Sequence, residues 1–196
     1  MTNYYKKVYA TDPSEQQLKH AVPHKQIEYR VEKAEKTTLA AASADVITVS
    51  QALHWFEFDR FYTEVNRVLK PDGILAAWTY GIPKISEAVD TVITYFYDTI
   101  LNGYWKPGNQ LVAERYATIP FPFQEVESPT FTIEKPLSLD DVIGLLTSWS
   151  AVQRYINRND GQNPIDEIKG SLAKAWKKGG NLKASEWEIC MRVGMR

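Results

Sequence analysis

One stretch, ADVITVSQALHWFEFDRFYTEVNRVLKPDGILAAWTY (Ala44–Tyr80), does most to limit what this chain can fold into. Val46, Ile47 and Val49 make a short β-branched run, as expected of a strand buried on both faces. Ser50, Gln51, His54 and Trp55 then bring polar and aromatic groups into a loop. Phe58, Phe61, Tyr62, Val65, Val68 and Leu69 follow at spacings of three and four, which predicts a helix with one apolar face. Glu57 and Asp59 suit the positive end of that helix and Lys70 its negative end. Pro71-Asp72-Gly73 predicts a stop and a tight turn, and Ile74–Trp78 a second apolar strand. Strand, helix and strand with short links form one crossover, so the two strands should run parallel. Ligands of open parallel sheets bind at the carboxyl edge, where Ser50–Trp55 and Trp78–Tyr80 fall.

Composition narrows the function classes. The formal net charge is −1 with Lys and Arg scattered, which argues against nucleic acid or an anionic membrane as partner. A single cysteine, Cys190, excludes an internal disulfide and fits a reducing, cytoplasmic setting. No Cys/His spacing suits a metal, and no apolar run approaches the roughly 20 residues of a membrane span. The N-terminus, MTNYYKKVYATD, lacks a signal-peptide core. Eleven Tyr and six Trp are enough to fill a core and also to line an apolar pocket.

Lys7–Thr11 predicts a short strand, and Asp12-Pro13-Ser14-Glu15 follows it. Asp12 fits two roles. It can be the N-cap of a helix with Pro13 in the first turn and Glu15 closing a capping box. It can also be an acid at a strand's carboxyl end, accepting hydrogen bonds from ribose hydroxyls. Ile27–Val31 predicts the next strand, with Ala34 and Glu35 just beyond it; taken alone, Glu35 is a solvated loop acid. Past Tyr80, Ser86 can cap a helix carrying Val89, Val92, Ile93, Phe96 and Ile100, ended by Asn102-Gly103. A shorter helix is expected over Leu111–Tyr116, and a strand over Val126–Glu134 broken at Pro129. Ser138 should start one further helix with Val142, Leu145, Leu146, Trp149, Val152 and Ile156 on its buried side. Trp149 is then core and Arg154 solvated, or Trp149 walls a pocket and Arg154 grips a carboxylate bidentately. Pro164–Lys178 should be the last helix, ended by Gly179-Gly180, and Ser185–Arg196 an antiparallel edge strand.

The motifs ALHWF, FYTEVNRVLKPDGILAAW and TSWSAVQRY resemble the class I S-adenosylmethionine-dependent methyltransferases. Within them they are similar to the methyltransferase type 11 group that includes trans-aconitate methyltransferase. The resemblance covers nearly the whole chain. It implies a Rossmann-like α/β fold, a three-layer sandwich with a mostly parallel sheet and an antiparallel C-terminal strand. It implies one domain, with substrate-side helical insertions around residues 84–122 and 138–180. It also implies S-adenosylmethionine as cofactor, held by Asp12, Pro13, Ala34, Glu35, Ser50 and Gln51, with Asp12 on the ribose and Ala34 and Glu35 beside the adenine. His54 and Trp55 would be catalytic, and Tyr80, Trp149 and Arg154 would bind a small-molecule acceptor. His54 is the one base candidate; the alternative is a loop histidine bonded to backbone.

The resemblance starts one unit late. No glycine precedes Gly73, whereas the family wraps the methionine part of its cofactor with a glycine-rich loop. Only about seven residues precede the first strand, and a strand, loop and helix need roughly 25–30. The first βα unit is therefore expected to be missing from the sheet centre, leaving unpaired backbone that invites self-association. Two functions follow: methyl transfer to a small, carboxylate-bearing acceptor, or a truncated, non-catalytic relative that does not hold cofactor. An unrelated nucleotide-binding module is a third, disfavoured by the glycine-free N-terminal half.

Overall fold

Apolar spacing and turn residues resolve into an alternation of strands and helices in the computed structural model, which describes residues 1–177 and 180–196. In chain order these are β1 (Val8–Asp12), α1 (Glu15–Leu18), β2 (Ile27–Val31), β3 (Ala44–Ser50), α2 (Phe58–Val68), β4 (Leu69–Tyr80) and α3 (Glu87–Tyr95). Then come α4 (Gly108–Ala113), β5 (Gln124–Val126), β6 (Phe131–Leu137), α5 (Leu139–Thr147), α6 (Ser150–Arg158), α7 (Ile165–Trp176) and β7 (Lys183–Met195). A 3-10 turn covers Leu53–Trp55 and a π-helical turn Phe96–Ile100. β1 and β2 pair in parallel from Val8↔Ile27 to Asp12↔Val31 and stand as a sheet of two. The other sheet has the order β3-β4-β7-β5, with β6 also antiparallel to β7. The architecture is Rossmann-like α/β.

The chain divides into two compact units. The first comprises Met1–Ala77, Pro120–Ser128 and Arg192–Arg196. Its main helix, α2, buries Phe61, Tyr62, Val65 and Val68, the stripe expected from their spacing. The Tyr62 hydroxyl donates to the Pro120 carbonyl, and its ring meets the edges of Phe121 and Phe123. Burial pushes the Tyr62 phenol up to about 12. Gly194 of β7 lies so close to these rings that a β-carbon there would sit 2.5 Å from Phe123 Cβ.

The second unit comprises Trp78–Ile119 and Pro129–Met191. Val89, Ile93 and Phe96 pack there with Val142, Leu146, Val152, Ile168, Leu172 and Trp187. Ser138 opens α5 with a reciprocal capping box: Asp141 N–H donates to Ser138 Oγ, and Ser138 N–H to Asp141 Oδ2.

Several boundaries differ from expectation, each for a local reason. The N-cap of α1 is Ser14, not Asp12; Asp12 Oδ1 instead accepts from the Ser14 N–H at 2.7 Å, an Asx turn one step earlier. The expected turn at Pro71-Asp72-Gly73 lies inside β4, which starts at Leu69, and Asp72 takes the positive φ (63°). Arg115 and Tyr116 fall outside α4, both at positive φ. The single helix expected after Ser138 is two, because Trp149 is extended (ψ 134°) and caps α6. β7 is not an edge strand: it lies between β4 and β5, and pairs β6 as well. α7 ends at Trp176 with Lys177 as its C-cap, short of the expected Lys178; Lys178 and Gly179 themselves lie outside the described residues.

Candidate functional site

β1 and β3 end at Asp12 and Ser50, and both strands line one cavity of about 1090 Å³ in the first unit. Asp12, Ala34 and Ser50 all face it; Phe61, Val65 and Val68 of α2 supply apolar wall. Arg30, Asp45 and Glu64 add charge. Three of the six expected cofactor residues thus share one space. Pro13, Glu35 and Gln51 each adjoin one of those three in the chain.

Gln51 leaves β3 with φ 52°, a left-handed conformation costly for a long side chain. Such strain concentrates where a strand end must turn sharply beside a site. Glu35 has a structural duty: its Oε1 accepts from the Glu57 N–H at 3.1 Å, capping α2, whose own N-cap side chain makes no such bond. The loop after β2 is also tied to the far end of α2. Glu64 Oε1 accepts from both Thr37 N–H and Thr37 Oγ1 at 2.7 Å, and Arg67 donates to Glu64 and to the Leu39 carbonyl. Arg67 foremost, with Thr37, holds the Glu64 carboxyl down at about 2. Sequence reading missed this brace, although Glu64 and Arg67 stand at the i,i+3 spacing of a helix pair.

His54 and Trp55 sit on the 3-10 turn beyond β3. Their rings are 4.5 Å apart and tilted by 51°. Trp55 is exposed, whereas His54 is only 8% exposed. Burial lowers the imidazole to about 4, so it is neutral at physiological pH. An imidazole so placed is a weak base, better suited to hydrogen bonding than to drawing a proton from an alcohol.

Tyr80, Trp149 and Arg154 belong to the second unit. Tyr80 packs on its core. Trp149 belongs to an aromatic group with Phe96 (6.2 Å), Tyr97 (5.8 Å) and Trp105 (5.6 Å). Tyr97 and Trp105 stack at 4.3 Å, and the Trp105 indole donates to the Tyr97 carbonyl. Arg154 is half-buried and donates to the Tyr104 carbonyl. Its other guanidinium donors are available in number for an anion. No cluster of metal-ligating side chains occurs among the described residues.

The Asp12 carboxylate accepts one hydrogen bond, from the Ser14 N–H, and lines the cavity; a carboxylate has further acceptor sites that hydroxyl groups could use. The amino-acid end of a nucleoside cofactor finds no glycine turn, since none precedes Gly73.

Comparison with known proteins gives the class. The methyltransferase domain family matches residues 1–77. A candidate methyltransferase of Dictyostelium discoideum is 36% identical over 180 residues, covering 90% of this chain and 68% of that protein. A Saccharomyces cerevisiae protein, named as a candidate S-adenosylmethionine-dependent methyltransferase, is 26% identical over 84% of this chain and 69% of its own length. A solved candidate type II methyltransferase from Anaeromyxobacter dehalogenans is 38% identical and superposes with a TM-score of 0.87, over 99% of this chain and 82% of that one. The chain belongs to the class I S-adenosylmethionine-dependent methyltransferases.

No helix among the described residues is long and apolar enough to cross a membrane.

Proposed function

We propose that this chain takes part in methyl transfer from S-adenosylmethionine to a small molecule bearing a carboxylate. The observation that carries it is the shared cavity at the ends of β1 and β3, with Asp12, Ala34 and Ser50 on its wall. S-adenosylmethionine supplies a methyl group on an excellent leaving group, so the protein has to align and dehydrate rather than activate. Asp12 would hold the ribose, Ala34 and Glu35 flank the adenine, and Ser50 and Gln51 border the methyl-donor end. Trp55 would exclude water, and Arg154 would fix the acceptor's carboxylate with paired donors. A carboxylate acceptor needs no base, which suits an imidazole lowered to about 4 at His54. The lone free Cys190 supports a reducing cytoplasm as the place of action.

A second reading has its own support. The absence of glycine before Gly73 removes the turn that would cradle the methionine part, which favours a non-catalytic relative with weak or no cofactor binding. Calorimetric titration with S-adenosylhomocysteine separates the two. Saturable binding that Asp12→Ala weakens by about 1–3 kcal/mol, through ribose hydroxyls left without an acceptor, supports the catalytic reading. No heat up to about 1 mM ligand sinks it and leaves the second. If binding occurs, turnover on a panel of small acids and alcohols tests the acceptor. Arg154→Ala should then raise KM for the acids and spare the alcohols.

A further inference from the structure

β6 is an open edge of the second unit: among the described residues it pairs β7 and no other strand, and every residue from Phe131 to Pro136 is exposed. The hydrogen bonds of β7 show which main-chain groups of β6 are free. Glu186 N–H donates to the Lys84 carbonyl, and the Glu186 carbonyl accepts from Lys84 N–H, both at 2.9 Å. Glu186 therefore turns its main chain away from β6, and Glu134, opposite it in the register, makes no ladder bond with it. Main-chain direction alternates along a strand, so Phe131, Ile133 and Lys135 bond to β7, whereas Thr132, Glu134 and Pro136 point their main-chain groups outward. Pro136 agrees with this, because a residue without an N–H is tolerated on the outward side of an edge. Thr132 and Glu134 thus each offer a donor and an acceptor to a further strand. Beside them stand two exposed apolar side chains, Phe131 (43%) and Ile133 (38%).

We propose that a second copy of this chain pairs with that edge, β6 against β6 and antiparallel, about a two-fold axis at Thr132. The edge is self-complementary in this register. Thr132 meets Thr132 of the second copy and exchanges two main-chain hydrogen bonds with it. Phe131 meets Ile133 of the second copy, and Ile133 meets its Phe131; aromatic–β-branched and Thr–Thr pairs both stabilise facing strands. Charge separates this register from its neighbours. Glu134 already faces Glu186 across the ladder, so an axis at Glu134 would crowd the acids of both copies and set Pro136, with no N–H, opposite Thr132. An axis at Ile133 would put Phe131 against Lys135 and make the two Glu134 diagonal neighbours. An axis at Phe131 would put Ile133 against Pro129, outside β6. With the axis at Thr132 the two Glu134 stand roughly 13 Å apart along the strands. A contact that matches its own mirror position in this way fits the isologous interface of a dimer rather than an unrelated strand. The inference stands apart from methyl transfer, and its test uses no cofactor.

Sedimentation velocity of the whole protein at about 100 µM should show a species of twice the 22.4 kDa chain that dissociates on dilution. Thr132→Pro removes an outward N–H from each copy and spares the bonds to β7, as Pro136 does. It should weaken the dimer about tenfold or more and leave the far-UV circular dichroism unchanged. Cross-linking reads the register. In a Cys190→Ser background, Thr132→Cys should give disulfide-linked dimers on mild oxidation, because a hydrogen-bonded pair holds its Cα atoms about 5.5 Å apart. Glu134→Cys, at roughly 13 Å, should not. If Thr132→Pro loses its fold, the two cysteine variants decide alone. A parent that sediments as a monomer at about 100 µM overturns the inference. A dimer that a folded Thr132→Pro leaves intact does the same, as does cross-linking by Glu134→Cys equal to that by Thr132→Cys.

Discussion

His54 carries the clearest consequence at the scale of one side chain. Its folded-state pKa, about 4, lies below the ordinary 6.5, so the unfolded chain binds the proton more readily. Stability from this group is full above pH 6.5 and is lost as pH falls toward 4, by up to about 2–3 kcal/mol. Glu64, held down at about 2 by Arg67, withdraws its contribution only below the ordinary 4.5, so the two are separable. Urea unfolding at pH 7.5 and pH 5 should show the parent weakening and His54→Gln weakening much less. Equal losses in both would place the proton elsewhere. At this scale the sequence named Asp12, Ser50 and His54 because a strand edge followed by polar residues is a recognisable pattern. It gave no warning that His54 would be buried, nor that Glu35 would cap α2, because both depend on loops folding back across the chain.

Among elements, glycines separate packing from propensity. A β-carbon at Gly194 would lie 2.5 Å from Phe123 Cβ and 2.7 Å from Phe121 Cε1, so Gly194→Ala must displace the β5 segment or the end of β7. A loss of about 1–3 kcal/mol in denaturant unfolding is expected. Gly144, within α5, meets nothing within 4 Å, and Gly144→Ala should instead gain roughly 0.5–1 kcal/mol. A reversed order would mean that the Phe121 and Phe123 rings yield easily. The start of α5 at Ser138 was legible, since a capping box is local chemistry. The break at Trp149 was not: its aromatic contacts come from Phe96, Tyr97 and Trp105, far away in the chain, and periodicity alone carries the helix straight through.

For the molecule as a whole, the α/β alternation and the crossover around α2 could be read directly from spacing. The place of β7 could not, because an alternating strand looks the same at an edge and between neighbours. That place has a consequence for synthesis. The first unit is closed by Arg192–Arg196, which follow Ala77 by more than a hundred residues. Gln124 and Val126 pair with Met195 and Val193, and the Arg196 N–H donates to the Gly73 carbonyl. On the ribosome, at about 5–20 residues per second, the first unit therefore waits several seconds or more for its final strand. The second unit can gather its helices in that interval. A released chain truncated after Met191 should thus yield protease-resistant fragments from Trp78–Met191 while Met1–Ala77 is still cleaved. Resistance of Met1–Ala77 would show that the last five residues only trim a unit already formed.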